Sequence, residues 1–402
     1  MPSTTRSLAI GGAILGNLVD GYGVVAVAFI GKAIERVWNL DPAMLGLVFA
    51  SGPAGMMLGS LVISPFADRF GRRKVTLASL LLVALGMFGA AAAANVTQLL
   101  AMLLLTGLGI GGVLATLNTV VAEIAPPDRR NTVMAIFSAG YPLGSTLAGG
   151  LAIGLMMTHG WQIVFLLGGA LALLVFLVNL FTLPEPAARE NGAAGPRPPA
   201  TMRAQLFGET QRGNTIAICL AFFLNMISFY FILLWTARLT VSLAVPEQVG
   251  ATAMTIVNIG SLIGPLLFGL LADRLGLVRI ASVYFLAFSL AIALFAGTTD
   301  ALWTIYAASA LVGLVMAGAM TSLYASTPLL FPAEVRAAGT GLAIGIGRLG
   351  ATAGPILAGL ALQFGAGRSG LYLLFAIPPL LVAFILLSGR IRPAVTLKPR
   401  EA

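Results

Sequence analysis

Ala67-Asp68-Arg69-Phe70-Gly71-Arg72-Arg73 separates two long apolar stretches, and Ala272-Asp273-Arg274-Leu275-Gly276-Leu277-Val278-Arg279 does the same 205 residues later. The same offset carries Pro127 onto Pro332. Two independent matches at one offset point to a duplicated chain rather than to chance. Each copy places a glycine where a tight turn between helices needs one, beside an Asp able to cap a helix and arginines able to pair with it. Asp68, Arg69, Gly71, Arg72 and Arg73, with Asp273, Arg274 and Gly276 of the second copy, therefore read as a conformational latch that forms in one state and breaks in another. A solvated loop that only fixes topology is the plainer alternative.

The stretches on either side are too apolar for a water-facing fold. Only 9% of the 402 residues are charged, against about 25% in a soluble domain. Hydrophobic residues make up 58% and the mean hydropathy is +0.98. Charged or Pro-rich breaks divide the chain into twelve spans, near 8–31, 43–67, 75–95, 98–124, 132–158, 163–184, 215–239, 249–272, 280–297, 302–326, 338–363 and 370–389. A spanning helix needs roughly 20 residues, and the strict alternation of a membrane barrel is absent. The fold expected is an all-α polytopic membrane protein of two pseudo-symmetric six-helix halves. Residues 1–184 form the first half and 215–402 the second, with a short tail. The Gly- and Pro-rich segment 185–214 is a flexible cytoplasmic linker.

The net charge of +9 is a topology signal. Eighteen of the 23 Lys and Arg fall on the side of the loops that follow even-numbered spans. By the positive-inside rule that side, with both termini, is cytoplasmic, as for a multi-pass protein of a bacterial inner membrane. Anionic lipid headgroups are the natural partners of these charges. No basic face or motif for nucleic acid is visible. The lone Cys219 and lone His159 exclude a disulfide framework and a Cys- or His-based metal site.

Charges inside a span cost roughly 2.5–3.5 kcal/mol on insertion scales and call for a functional reading. Asp20 lies about halfway along span one and can carry a proton between the two sides. Arg348, between Gly347 and Gly350 in span eleven, can hold a carboxylate bidentately. A permanent Asp20–Arg348 pair is the structural alternative for both. Glu123, at the cytoplasmic end of span four, is either a second proton site or a helix-end carboxylate paired with Arg129 or Arg130. Arg238 reads as a snorkelling interfacial side chain. Tyr22, Tyr141, Tyr230, Trp235 and Tyr324, with Asn118 and Asn225, supply ring faces and hydrogen-bonding groups for a pocket. Glycines 140, 144, 149 and 150 in span five, with 354 and 359 in span eleven, read as close-packing faces, and Pro142 and Pro355 as kink points.

Asp-Arg-x-Gly-Arg-Arg between spans two and three, its degenerate echo between eight and nine, and the six-plus-six plan resemble the major facilitator superfamily. Ser64 stands where that motif normally opens with Gly; the second copy has Gly269. A finer resemblance is to the aromatic acid/proton symporters. It is carried by Asp20-Gly21-Tyr22, by Thr106-Gly-Leu-Gly-Ile-Gly-Gly112 and by Ala122-Glu123-Ile-Ala-Pro-Pro-Asp-Arg-Arg130. Tyr230-x4-Trp235 and Gly345-Ile-Gly-Arg348-Leu-Gly-Ala-x2-Gly354-Pro355 complete it. Two positions depart from that family: Gly23 replaces a second Asp, and Leu103 replaces an Arg. Both lost groups are associated there with coupling or substrate binding.

The resemblance implies proton-coupled uptake of a small organic anion, an aromatic carboxylate, by a monomeric transporter without cofactor. Arg348 would anchor the carboxylate and Asp20 would carry the proton. Three alternatives stay open: a proton-coupled drug or metabolite exporter, an uncoupled facilitator, and a non-transporting membrane receptor. Span five lacks the Gly-Pro pair common in exporters, and a receptor would be expected to carry more than the 13 residues after Gly389. Neither a Walker-type phosphate loop nor HExxH or GxSxG is found, so ATP-driven transport and an enzyme have no support.

Overall fold

A computed structural model describes residues 3–126, 129–184, 205–208, 211–332 and 335–388. Twelve of its helices are long and apolar enough to cross a membrane. In chain order they are α1 Arg6–Trp38, α2 Pro42–Val62, α3 Arg72–Ala91, α4 Val96–Ile124, α5 Thr132–His159 and α6 Gln162–Thr182. The second six are α7 Arg212–Val241, α8 Glu247–Ala272, α9 Leu277–Ala296, α10 Leu302–Leu329, α11 Ala338–Gln363 and α12 Arg368–Leu387. No strand occurs among the described residues. The expected linker falls mostly outside them, as does Pro127, and α7 begins three residues before the expected boundary.

Two span ends differ most from the expected ones. The first helix continues past residue 31 to Trp38. Its extra turns carry Lys32, Glu35 and Arg36, which sequence alone assigns to a loop. Lys32 and Glu35 pair at 3.2 Å on one helical face. The turn that follows passes through Asn39, at φ 47°, to Asp41, whose side chain accepts from Met44 N at 2.7 Å and caps α2. At its other end α2 stops at Val62, and a short helix, Ser64–Phe70, fills the remainder. Gly71 and Gly276 then turn the chain at φ 91° and 90°. A side chain in that left-handed region is strained, so both copies of the motif need glycine there.

The duplication recurs in the packing. A Cβ on Gly55 or Gly59 of α2 would collide with the Leu104 and Leu108 carbonyls of α4. At the 205-residue offset, Gly260 and Gly264 of α8 meet the Ala310 and Leu314 carbonyls of α10 in the same way. Lipid offers no hydrophobic drive between helices, so close backbone approach, with its dispersion contacts, holds these pairs. Gly140 and Gly144 press against α1, Gly149 against Phe29 and Thr255, and Gly354 against the Ile227 carbonyl. Gly150 faces open space, so it leaves the expected packing face.

The first and second six helices meet at the end that carries the α1–α2, α7–α8 and α11–α12 turns. There a Cβ on Gly46 of α2 would stand 2.7 Å from the Pro355 carbonyl and 3.2 Å from Gly359 Cα of α11. The Phe49 ring meets Trp235 edge-on at 5.1 Å. Above this seam, Glu35 accepts from Arg238 Nε at 2.9 Å and Nη2 at 3.0 Å, while Arg36 reaches Glu247 at 2.6 Å. Arg238 is therefore a clasp between halves rather than a snorkelling side chain. Toward the opposite end, α4 and α5 share no comparable interface with α10 or α11 among the described residues. The two halves part there.

Glu35 and Arg238 keep 20% and 15% of their side chains exposed. Arg238→Ala leaves a mostly sequestered carboxylate with Lys32 as its remaining partner, and thermal unfolding in detergent should register a loss of about 1–2 kcal/mol. Adding Glu35→Ala should cost little more; strictly additive losses would mean that the two side chains do not depend on each other.

Candidate functional site

The two deep charges lie on helices from opposite halves. Asp20, midway along α1, keeps 1% of its surface, and neither carboxylate oxygen has a hydrogen-bond partner. Arg348 keeps 9%. Its position follows from the glycines beside it: Gly347 and Gly350 let α11 lie against Phe222, Phe223 and Met226 of α7. From there the guanidinium Nη1 donates to the Tyr230 hydroxyl at 3.4 Å and lies 4.0 Å from Met56 Sδ of α2. No oxygen of Asp20 comes within the 4.0 Å of an ion pair. A permanent bridge is thus not what the structure holds. Tyr141, Tyr230 and Tyr324 share the electrostatic neighbourhood of both charges.

An unbridged charge pair in so dry a setting costs several kcal/mol relative to water. The arrangement leaves a guanidinium fork with donors to offer and a carboxylate with oxygens to fill. A ligand carboxylate can take the first and a proton the second.

The other pocket candidates divide. Tyr324 is 41% exposed and stands edge-on to Phe222 at 5.5 Å. Asn225 is fully buried; its Nδ2 contacts Met320 Sδ at 3.1 Å and its Oδ1 is unbonded. Asn118 turns its amide onto its own helix, donating to the Leu114 carbonyl at 2.9 Å. Tyr22 points away from Arg348: its hydroxyl donates to the Val164 carbonyl of α6 at 2.6 Å, and its ring fills the space over Gly168. Trp235 belongs to the closed seam, where Nε1 donates to the Pro355 carbonyl at 3.3 Å. Tyr22 and Trp235 therefore act as packing and closure groups, because their faces of α1 and α7 turn toward other helices.

Glu123 sits far along α4 and pairs with Arg72; the side chain of Arg130, one of its two expected partners, lies outside the described residues. Arg73 donates to the Leu180 carbonyl at 2.6 Å, and Arg69 lies over the Phe70 ring at 5.4 Å. The motif's described arginines thus brace their own half, while Arg274 is exposed. The side chains of Asp68 and Asp273 lie outside the described residues. Sequence reading missed Met56 and Asn17. Met56 carried no signal among 14 methionines. Asn17 did carry one, as an amide in an apolar helix one turn before Asp20.

A family model described as Major Facilitator Superfamily matches residues 13–241 and again 218–402. A gallate transporter of Pseudomonas putida is 31% identical, covering 94% of this chain and 92% of its own. A 3-(3-hydroxy-phenyl)propionate transporter of Escherichia coli is 32% identical, covering 97% of each. Among solved structures, a mutant of the nucleoside transporter NupG superposes with a TM-score of 0.79 at 18% identity, covering 95% of this chain and 99% of its own. The xylose transporter XylE of E. coli gives 0.76 at 16%, covering 94% and 95%.

Tyr22→Phe should lower thermal stability by about 1 kcal/mol, since it removes a buried hydrogen bond to the Val164 carbonyl. An unchanged melting temperature would show that the hydroxyl is free for another task.

Proposed function

Because the chain belongs to the Major Facilitator Superfamily, a superfamily of transporters, we propose that it is a secondary active transporter that takes up a small aromatic carboxylate together with protons. The observation that carries this reading is the Asp20–Arg348 arrangement: two buried opposite charges, one from each half, unbridged, with Tyr230 bonded to the guanidinium. The relatives named for gallate and 3-(3-hydroxy-phenyl)propionate, both phenolic carboxylates, support the substrate class. Alternating access by rocking of the two halves fits a bundle closed at one end and parted at the other.

Arg348 is the carboxylate anchor in this reading, with Tyr230 holding its fork and Tyr141, Tyr324 and Asn225 available to the ring and its hydroxyls. Asp20 carries the proton. One proton per monoanion makes the step electroneutral. The position of the family's second Asp is Gly23, where a Cβ would stand 2.7 Å from Ile110 Cδ1 and 3.1 Å from Met87 Cε. Leu103 is buried in the same bundle. Both family charges are replaced by apolar packing, which leaves Asp20 as the proton carrier. The same two positions also favour a second reading, an uncoupled facilitator. The lysines and arginines near the parted end support a cytoplasmic position for it and for both termini, in a bacterial inner membrane. The chain works as a monomer, its basic loops against anionic lipid.

Uptake of gallate or 4-hydroxybenzoate into proteoliposomes should quicken when the outside is made more acidic than the inside, and should collapse with a protonophore. Indifference to the gradient would select the facilitator. Asp20→Asn should cut accumulation about tenfold or more and abolish the gradient response; wild-type behaviour would remove Asp20 from coupling. Arg348→Lys should raise KM for carboxylates by about 10- to 100-fold while sparing neutral analogues. Equal losses for both would end its role in recognition.

A further inference from the structure

α5 is interrupted where it passes Asp20. The helix stops at Ser138 and resumes at Gly140. Pro142 explains the gap, since it has no N–H for the Ser138 carbonyl, four residues back. Ala139 nonetheless keeps helical dihedrals, φ −67° and ψ −16°. The hydrogen-bond ladder is broken while the course of the helix is not, so a small dihedral change suffices to swing the arm Arg130–Ser138.

α1 is fastened to α5 on both sides of that gap. Beyond it, Gly21 lies against the Tyr141 carbonyl, and Ser145 Oγ donates to the Gly21 carbonyl at 3.0 Å. On the arm side, Asn17 donates from Nδ2 to the Phe137 carbonyl at 2.7 Å. Asn17 is 6% exposed and Phe137 2%, so this bond is made away from water, where its loss is costly. Asn17 stands one helical turn from Asp20, and Gly21 follows Asp20 directly. The groups facing Asp20 are Arg348 of α11, Tyr230 of α7, Tyr324 of α10 and Tyr141 of α5.

We propose that Asn17 is a positioning residue that makes the α5 arm follow α1 when the charge at Asp20 changes. An ionised Asp20 draws α1 toward Arg348 across the parted halves, and a neutral one releases it. Asn17 transmits that displacement across the break to Phe137. Without it, α1 moves only the segment beyond Ala139, and the arm hangs from the gap. The inference rests on the reading of Asp20 as proton carrier, but it concerns how the proton is felt, not what is transported.

The test uses the full chain in proteoliposomes, with Cys219→Ser and spin labels at Thr132→Cys on the arm and Gly341→Cys on α11. Both positions are exposed, and a Cβ at Gly341 meets open space. With Asn17 present, acidification from about pH 8 to about pH 5 should shift the inter-label distance by several ångströms, and Asp20→Asn should remove the shift. Asn17→Leu, close in size but unable to donate, should broaden the distribution and abolish the response while binding of 4-hydroxybenzoate stays within about threefold. Asn17→Gln, which keeps the donor, should restore part of it. An undiminished shift in Asn17→Leu, or an arm that stays still with Asn17 present, overturns the proposal. Uptake of gallate and 4-hydroxybenzoate in the same vesicles tests the transport reading separately, so either can fail alone.

Discussion

The attraction between Asp20 and Arg348, held short of contact, is the interaction on which the rest of this structure turns. At an effective dielectric of about 20, opposite charges at about 4 Å attract by about 4 kcal/mol, and a pair held beyond that distance attracts by less. That is enough to bias a rigid-body equilibrium and small enough to be overcome by one proton or one ligand. A full bridge would satisfy both groups and leave the site inert. Complete separation would strand two ions in a dry interior. The intermediate arrangement keeps both charges available, and it exists because each belongs to a different half.

The surrounding fold supplies the rigidity this requires. Gly55 and Gly59 against α4, and Gly260 and Gly264 against α10, lock backbones together within each half. Between halves the close approaches are confined to one end of the bundle. A small-residue seam at Gly46 and Gly359 and the Glu35–Arg238 clasp are local, and the charged part is partly wet. Contacts within a half run along whole helices while those across it sit at one end and include a partly wet ion pair, a division that suits a two-state bundle.

Much of this was legible in the chain. The 205-residue offset reappears in the matching turns at Gly71 and Gly276 and in the matched glycine faces. Asp20 and Arg348 stood out because a charge in an apolar span is expensive. What was hidden is rotation. Tyr22 and Tyr141 are the same residue type in similar contexts, yet one bonds to α6 and the other neighbours Asp20. No periodicity distinguishes them, since every face of these helices is apolar. The end of α1 was hidden for a second reason. Lys32, Glu35 and Arg36 read as a loop because the partners of Glu35 and Arg36, Arg238 and Glu247, come from the other half; Glu35 and Arg238 are 203 residues apart.

Exposure distinguishes the two charges of the proposed cycle. Arg348 keeps 9% of its surface and Asp20 1%, so the arginine is the more accessible of the two charged residues. With Asp20 ionised, the empty site is neutral, one charge of each sign. A bound monoanion makes it net negative, and in a region of low dielectric that excess is costly. A proton on Asp20 restores the balance, and a second proton would upset it again. Coupling one proton to one carboxylate then needs no dedicated machinery beyond the pair itself. It also gives a physical account of a chain that keeps one acid and one base deep in the membrane while Gly23 and Leu103 stand where the family pattern carries further charges.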